Sequence, residues 1–139
     1  MYVEYLDLPE VSDYMARESV KLLENQFSGR SKAYSIHWCE KQLLEYLQTI
    51  FPDKEKFRYQ VLRAGVPIHL DKGRIEAYNY IIEAGGKNVE TVWYENPHDD
   101  YFHEVYRTCI PERKWHKLNV GVRHTVKNIE TERFAITVN

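Results

Sequence analysis

Cysteine is scarce: Cys39 and Cys109 are the two in 139 residues. That is too few for a disulfide scaffold and is expected of simple thiols in a reducing compartment. No run of 18 apolar residues occurs, so no membrane-spanning helix is predicted. The opening Met1-Tyr2-Val3-Glu4-Tyr5 lacks the charged-then-apolar order of a signal peptide, and the chain reads as soluble and cytoplasmic. An excess of positive charge is also missing: the net charge is −2 and the pI about 6.3, which argues against nucleic acid as a partner. Low-complexity tracts, internal repeats and linker-like stretches are absent, so residues 1–139 read as a single domain with room for a core.

Hydrophobic residues make up 43% of the chain and tyrosine is abundant at 11, a composition suited to a β-rich globular protein. The N-terminal part is nevertheless helical in pattern. Ser12 is a capping residue, Asp13 an acidic first turn, and Met15, Leu22 and Leu23 an apolar stripe, predicting a helix that stops near Ser28-Gly29. Ile36, Cys39, Leu43, Leu47 and Ile50 recur at three- and four-residue steps, predicting a second helix from a capping Ser35 to Pro52, with Phe51 pushed out of the helical region. These helices, spanning about residues 12–51, are expected to pack outside a sheet, because an apolar stripe needs a surface to cover.

After Lys56 the pattern changes to short β-type runs. Candidate strands cover 57–64, 74–82, 89–94, 101–110, 114–120, 122–126 and 133–138, with turn residues between them. Gly85-Gly86 between two such runs reads as a hairpin, and Asn96 to Asp100 as a loop. Six or seven strands with turns every 8 to 12 residues fit a sandwich or jelly roll. In the last strand Phe134, Ile136 and Val138 alternate with Arg133, Ala135 and Thr137, so one face is apolar and the other carries small or polar groups around one arginine.

Three pieces of this half carry chemistry. In the extended segment Ile68-His69-Leu70-Asp71, residues two apart point the same way, so His69 and Asp71 can offer a nitrogen and a carboxylate oxygen to one ion. His124 follows His69 by 55 residues, flanked by Val122 and Val126, which would shield its imidazole and keep it neutral. Arg133 follows nine residues later with open space expected before its guanidinium fork, the shape a carboxylate needs. Two histidines and one carboxylate on one face of a metal leave the other face open, as suits non-haem Fe(II) and O2. His37, His98, His103 and His116 have no comparable arrangement.

At these positions, over about residues 57 to 139, the chain resembles the 2-oxoglutarate- and Fe(II)-dependent oxygenases, whose pattern is His-x-Asp, a distal His and a basic residue roughly ten positions on. The resemblance implies a double-stranded β-helix (jelly roll, cupin-like), mainly β with N-terminal helices. It implies His69, Asp71 and His124 as iron ligands and Arg133 as anchor of the far carboxylate of 2-oxoglutarate. It also implies a hydroxylase that uses O2 and releases succinate and CO2, acting on a protein side chain or a small molecule. Nothing in the sequence selects among substrates or oligomeric states.

Asn79 is open to two readings, a contact to 2-oxoglutarate or the iron's water, or a buried structural amide. Arg74 either lines the substrate mouth or is a solvated loop residue. Two other functions compete with the oxygenase: a non-catalytic jelly-roll module of a binding or virion-associated kind, and a cupin-type metal enzyme without 2-oxoglutarate. Arg133 argues against the second, which needs no carboxylate anchor.

Overall fold

The computed structural model describes the backbone of residues 1–27, 33–98 and 101–139, and side chains for all of these except 25–27 and 96–98. Its described elements are nine strands and two helices. In chain order they are β1 (Val3–Tyr5), α1 (Asp13–Phe27), β2 (Tyr34–Trp38), α2 (Lys41–Ile50), β3 (Phe57–Leu62), β4 (Glu76–Glu83), β5 (Glu90–His98), β6 (Tyr101–Thr108), β7 (His116–Asn119), β8 (Arg123–Lys127) and β9 (Arg133–Val138). They form a six-stranded sheet, β1-β7-β4-β9-β3-β2, and a three-stranded sheet, β6-β5-β8, with the strands paired antiparallel throughout. Two antiparallel sheets facing one another in this strand order make a jelly roll, the fold class expected.

The alternation read in β9 decides which face looks where. Phe134, Ile136 and Val138 join Phe57, Tyr59, Val61, Tyr80 and Ile82 in one buried cluster with Ala16, Val20 and Leu23 of α1 and Leu43 and Leu47 of α2. Both helices therefore cover the outer face of the large sheet. The inner face meets the small sheet: Trp93 of β5 packs with Ala77, Ile81 and Leu118 of the large sheet. Its indole also donates to the Asn119 carbonyl at 3.0 Å. No helix among the described residues is long and apolar enough to cross a membrane.

Several local expectations hold. Ser12 Oγ accepts from the Met15 amide at 3.2 Å, and Phe51 leaves the helical region at φ −123° and ψ 70°. The stop at Ser28-Gly29 lies outside the described residues.

Three expectations are corrected. The second helix does not begin at Ser35, because residues 34–38 form β2 and pair with β3 from Tyr34↔Leu62 to Trp38↔Arg58. Tyr34, Ile36 and Trp38 alternate on one side, and this two-residue period with aromatic and β-branched residues prevails over the apparent helical spacing. Glu40 is the true cap of α2, its carboxylate accepting from the amides of Gln42 and Leu43 at 2.9 and 2.7 Å. Asn96, Pro97 and His98 continue strand β5 rather than opening a loop. Asp99 and Asp100 lie outside the described residues.

Gly85-Gly86 does not turn a hairpin either: β4 belongs to the large sheet and β5 to the small one, so the connection crosses between sheets. Gly85 has φ +86°, and a Cβ there would sit 2.9 Å from the Glu132 carbonyl carbon and 3.0 Å from the Arg133 nitrogen. Its carbonyl accepts from the amides of Glu130 and Thr131 at 2.8 and 2.9 Å. The glycine is needed for close approach of two backbones at the start of β9.

Candidate metal centre

His69 lies just outside the named strands, yet it pairs with β8 in an isolated antiparallel bridge to His124. Each residue's amide donates to the other's carbonyl, at 3.0 and 2.8 Å. Residues directly opposite in an antiparallel pair share a face, so the bridge brings two imidazoles 55 residues apart in sequence side by side. Their ring centroids are 4.5 Å apart. Asp71, two residues on in the extended segment, is fixed by its amide donating to the Val120 carbonyl at 2.9 Å.

The outcome is a compact donor set. Nε2 of His69 and Nε2 of His124 lie 3.9 and 4.0 Å from Asp71 Oδ1. One potential donor atom from each of the three residues lies within 4.8 Å of the others. Nδ1 of His69 is 2.8 Å from the Pro67 carbonyl and Nδ1 of His124 is 2.7 Å from the Val122 carbonyl. A carbonyl only accepts, so each ring carries a proton on Nδ1, and Nε2 is the nitrogen that faces Asp71 and is placed to bind a metal. Donors around one ion of this class stand about 3 Å apart, given bonds of about 2.1 Å, so the carboxylate would close by about 1 Å on each imidazole and the widest pair by up to about 2 Å to bring all three into contact. The residues fit a divalent metal.

The site is graded in exposure. The His69 side chain is 43% exposed, Asp71 21% and His124 7%, as at the mouth of a barrel. Burial pushes the His124 pKa down, with the charges of His69 and Arg74 adding to it, against the Val122 hydrogen bond and the Asp71 charge. The ring is thus held neutral, as metal binding requires. Trp93 is the cross-strand partner of His124, which turns both side chains toward the large sheet.

Arg133 opens β9, in register with Leu62 on β3, and is 6% exposed. It makes no ion pair or side-chain hydrogen bond among the described residues. Burial alone accounts for its pKa falling to about 10. Among the described residues, a guanidinium so placed lacks the counter-charge that normally accompanies a buried cation. Asn79 is the cross-strand partner of both His116 on β7 and Thr137 on β9, so these three side chains share the inner face with Arg133. Asn79 Oδ1 and Thr137 Oγ1 are buried with no partner.

Sequence reasoning did not single out His116 or Thr137. His116 is buried beside Asn79, and burial, with the nearby Arg133 charge, drives its pKa down to about 4. The two-residue alternation of β7 was the available signal. Of the other histidines, His37 lies on β2 with Nε2 3.0 Å from Ser35 Oγ, and His103 is exposed on β6.

The fold has a counterpart among solved structures. The chain superposes on a prolyl-4-hydroxylase from Pseudomonas putida with a TM-score of 0.52, over 98% of this chain and 89% of that one, at 14% sequence identity. At that identity the likeness is one of fold. No family model and no curated protein matches the sequence.

Proposed function

We propose that the protein is a 2-oxoglutarate- and Fe(II)-dependent oxygenase that hydroxylates a protein side chain or a small molecule, with His69, Asp71 and His124 holding the metal. The observation that carries this reading is the pairing of two sites: a His-Asp-His donor set with both Nε2 atoms turned toward Asp71, and on β9 of the large sheet a buried arginine with no counter-charge among the described residues. The fold likeness to a prolyl-4-hydroxylase agrees with it. In this reading the reaction belongs to the cytoplasm, where Cys39 and Cys109 stay as free thiols.

Bound Fe(II) would supply the activation of O2 that couples oxidation of 2-oxoglutarate, to succinate and CO2, with insertion of one oxygen atom into a substrate C–H bond. The chain's own residues set the conditions. The carbonyls of Pro67 and Val122 fix the tautomers of His69 and His124. Arg133 takes the far carboxylate of 2-oxoglutarate in a charge-assisted grip, ending its own isolation. Asn79 and Thr137, each with a buried polar atom lacking a partner, offer further contacts to the same molecule. Val122, Trp93 and the walls around them keep water from the inner end.

Succinate release tests the proposal without knowledge of the substrate. Iron-dependent conversion of 2-oxoglutarate to succinate is expected from the parent, and almost none from His124→Ala or Arg133→Ala. A parent that binds iron but neither binds nor consumes 2-oxoglutarate would be a cupin-type metal protein instead. One that binds no metal would be a non-catalytic jelly-roll module.

A further inference from the structure

Arg74 is not a solvated loop residue. Its Nε donates to Asp71 Oδ2 at 2.6 Å, and the two side chains are equally sheltered, each 21% exposed. Asp71 Oδ1 is left facing the two imidazoles. The far nitrogen of the guanidinium, Nη1, is buried with no partner. An arginine that merely closes a turn avoids that cost by turning its head to water.

Nor does the loop need this side chain for its shape. The Asp71 amide donates to the Val120 carbonyl, and the Ile75 carbonyl accepts from the amides of Val120 and Gly121, at 2.9, 2.8 and 3.2 Å. Both ends of the segment 71–75 are thus tied to the strand connection beside them by backbone alone. Gly73, at φ +83°, makes the turn between them.

We propose that Arg74 is the positioning residue of the metal centre: by holding Asp71 through Oδ2 alone, it presents Oδ1 as a single donor and prevents the carboxylate from binding a metal through both oxygens. The inference rests on the triad being a metal site, and adds a residue the His-x-Asp pattern does not contain. A one-atom carboxylate leaves one more coordination position open than a two-atom one, so Arg74 governs how many exogenous ligands the metal can take.

The test uses Co(II), whose visible spectrum reports coordination number, added to the full chain of the parent, Arg74→Gln and Arg74→Lys. The parent is expected to bind one Co(II) per chain. Arg74→Gln should bind it roughly 10- to 100-fold more weakly, the usual range for loss of a group that orients a metal ligand, and with altered absorption. Arg74→Lys, which keeps the charge, should recover part of the affinity, and the thermal midpoints of all three metal-free proteins should stay close together. Equal affinity and identical spectra for parent and Arg74→Gln would overturn the proposal. Weakened binding with a collapse in metal-free stability and no rescue by lysine would overturn it too, by making Arg74 a structural brace. Failure of the parent to bind Co(II) would remove the site itself. Failure to bind 2-oxoglutarate, with Co(II) behaviour as expected, would refute the oxygenase reading and leave the role of Arg74 standing.

Discussion

Replacing Arg133 with methionine, a residue of similar reach and no charge, should make the protein more stable in the absence of 2-oxoglutarate while abolishing its response to 2-oxoglutarate. Burial lowers the arginine's pKa well below its ordinary value, to about 10. At about 1.4 kcal/mol per pKa unit, the charged form is disfavoured in the folded state by on the order of 3 kcal/mol. Because the folded pKa lies below the unfolded one, this deficit is complete below about pH 10 and shrinks as pH rises through the folded value. No ion pair is lost on substitution, so Arg133→Met should gain roughly 1 to 3 kcal/mol at neutral pH, some of the ideal gain being lost to imperfect packing. The assay is urea unfolding of both proteins loaded with redox-inert Mn(II), with and without 2-oxoglutarate. At a concentration of about 100 times its dissociation constant, 2-oxoglutarate should add about 2.7 kcal/mol to the parent and nothing comparable to the variant. The order of stability would then narrow or reverse on adding 2-oxoglutarate. A variant less stable than the parent without 2-oxoglutarate would mean that the arginine already has its partner in the fold. Equal stabilisation of both proteins would mean that Arg133 does not bind 2-oxoglutarate.

Two further outcomes follow from other parts of the structure. His116 has its pKa lowered to about 4 by burial, so the unfolded chain binds the extra proton first, and stability should fall between about pH 6.5 and 4 by on the order of 3 kcal/mol. Denaturation of His116→Leu across that window should show a shallower pH slope than the parent, and equal slopes would mean the ring is not buried neutral. Gly85→Ala should cost at least roughly 1 to 3 kcal/mol, since φ +86° is strained for alanine and the new methyl would sit 2.9 Å from backbone. It should also weaken 2-oxoglutarate, because the clash falls on the residues that start β9. A near-neutral effect on thermal unfolding would show that the crossover has slack.

How much was legible in sequence depended on whether a signal was local. The β9 alternation correctly assigned Arg133 and Phe134 to opposite faces, because pleating forces it. The His-x-Asp spacing and distant His124 were readable as a set. Their direct bridge was not, since pairing register is a long-range property. Arg74 stays open between two readings in sequence for the same reason: a loop arginine is solvated or sheltered depending on where Val120 and Gly121 run. The β2 error arose because Ile36 fits a helical period with Cys39 and an extended one with Tyr34 and Trp38, and pairing with β3 decided it. Gly85-Gly86 carried a true turn signal, but a glycine needed for backbone contact looks the same in sequence as one needed for a hairpin.

The most direct test of the metal reading is anaerobic titration of the metal-free chain with Fe(II), followed by calorimetry, for the parent and for His69→Ala, Asp71→Ala and His124→Ala. One iron per chain is expected in the parent, with strong loss of affinity in each variant, and 2-oxoglutarate binding that appears only after iron is in place. Two or more variants that bind iron like the parent, or a parent that takes none, would contradict the assignment of His69, Asp71 and His124 to a metal centre.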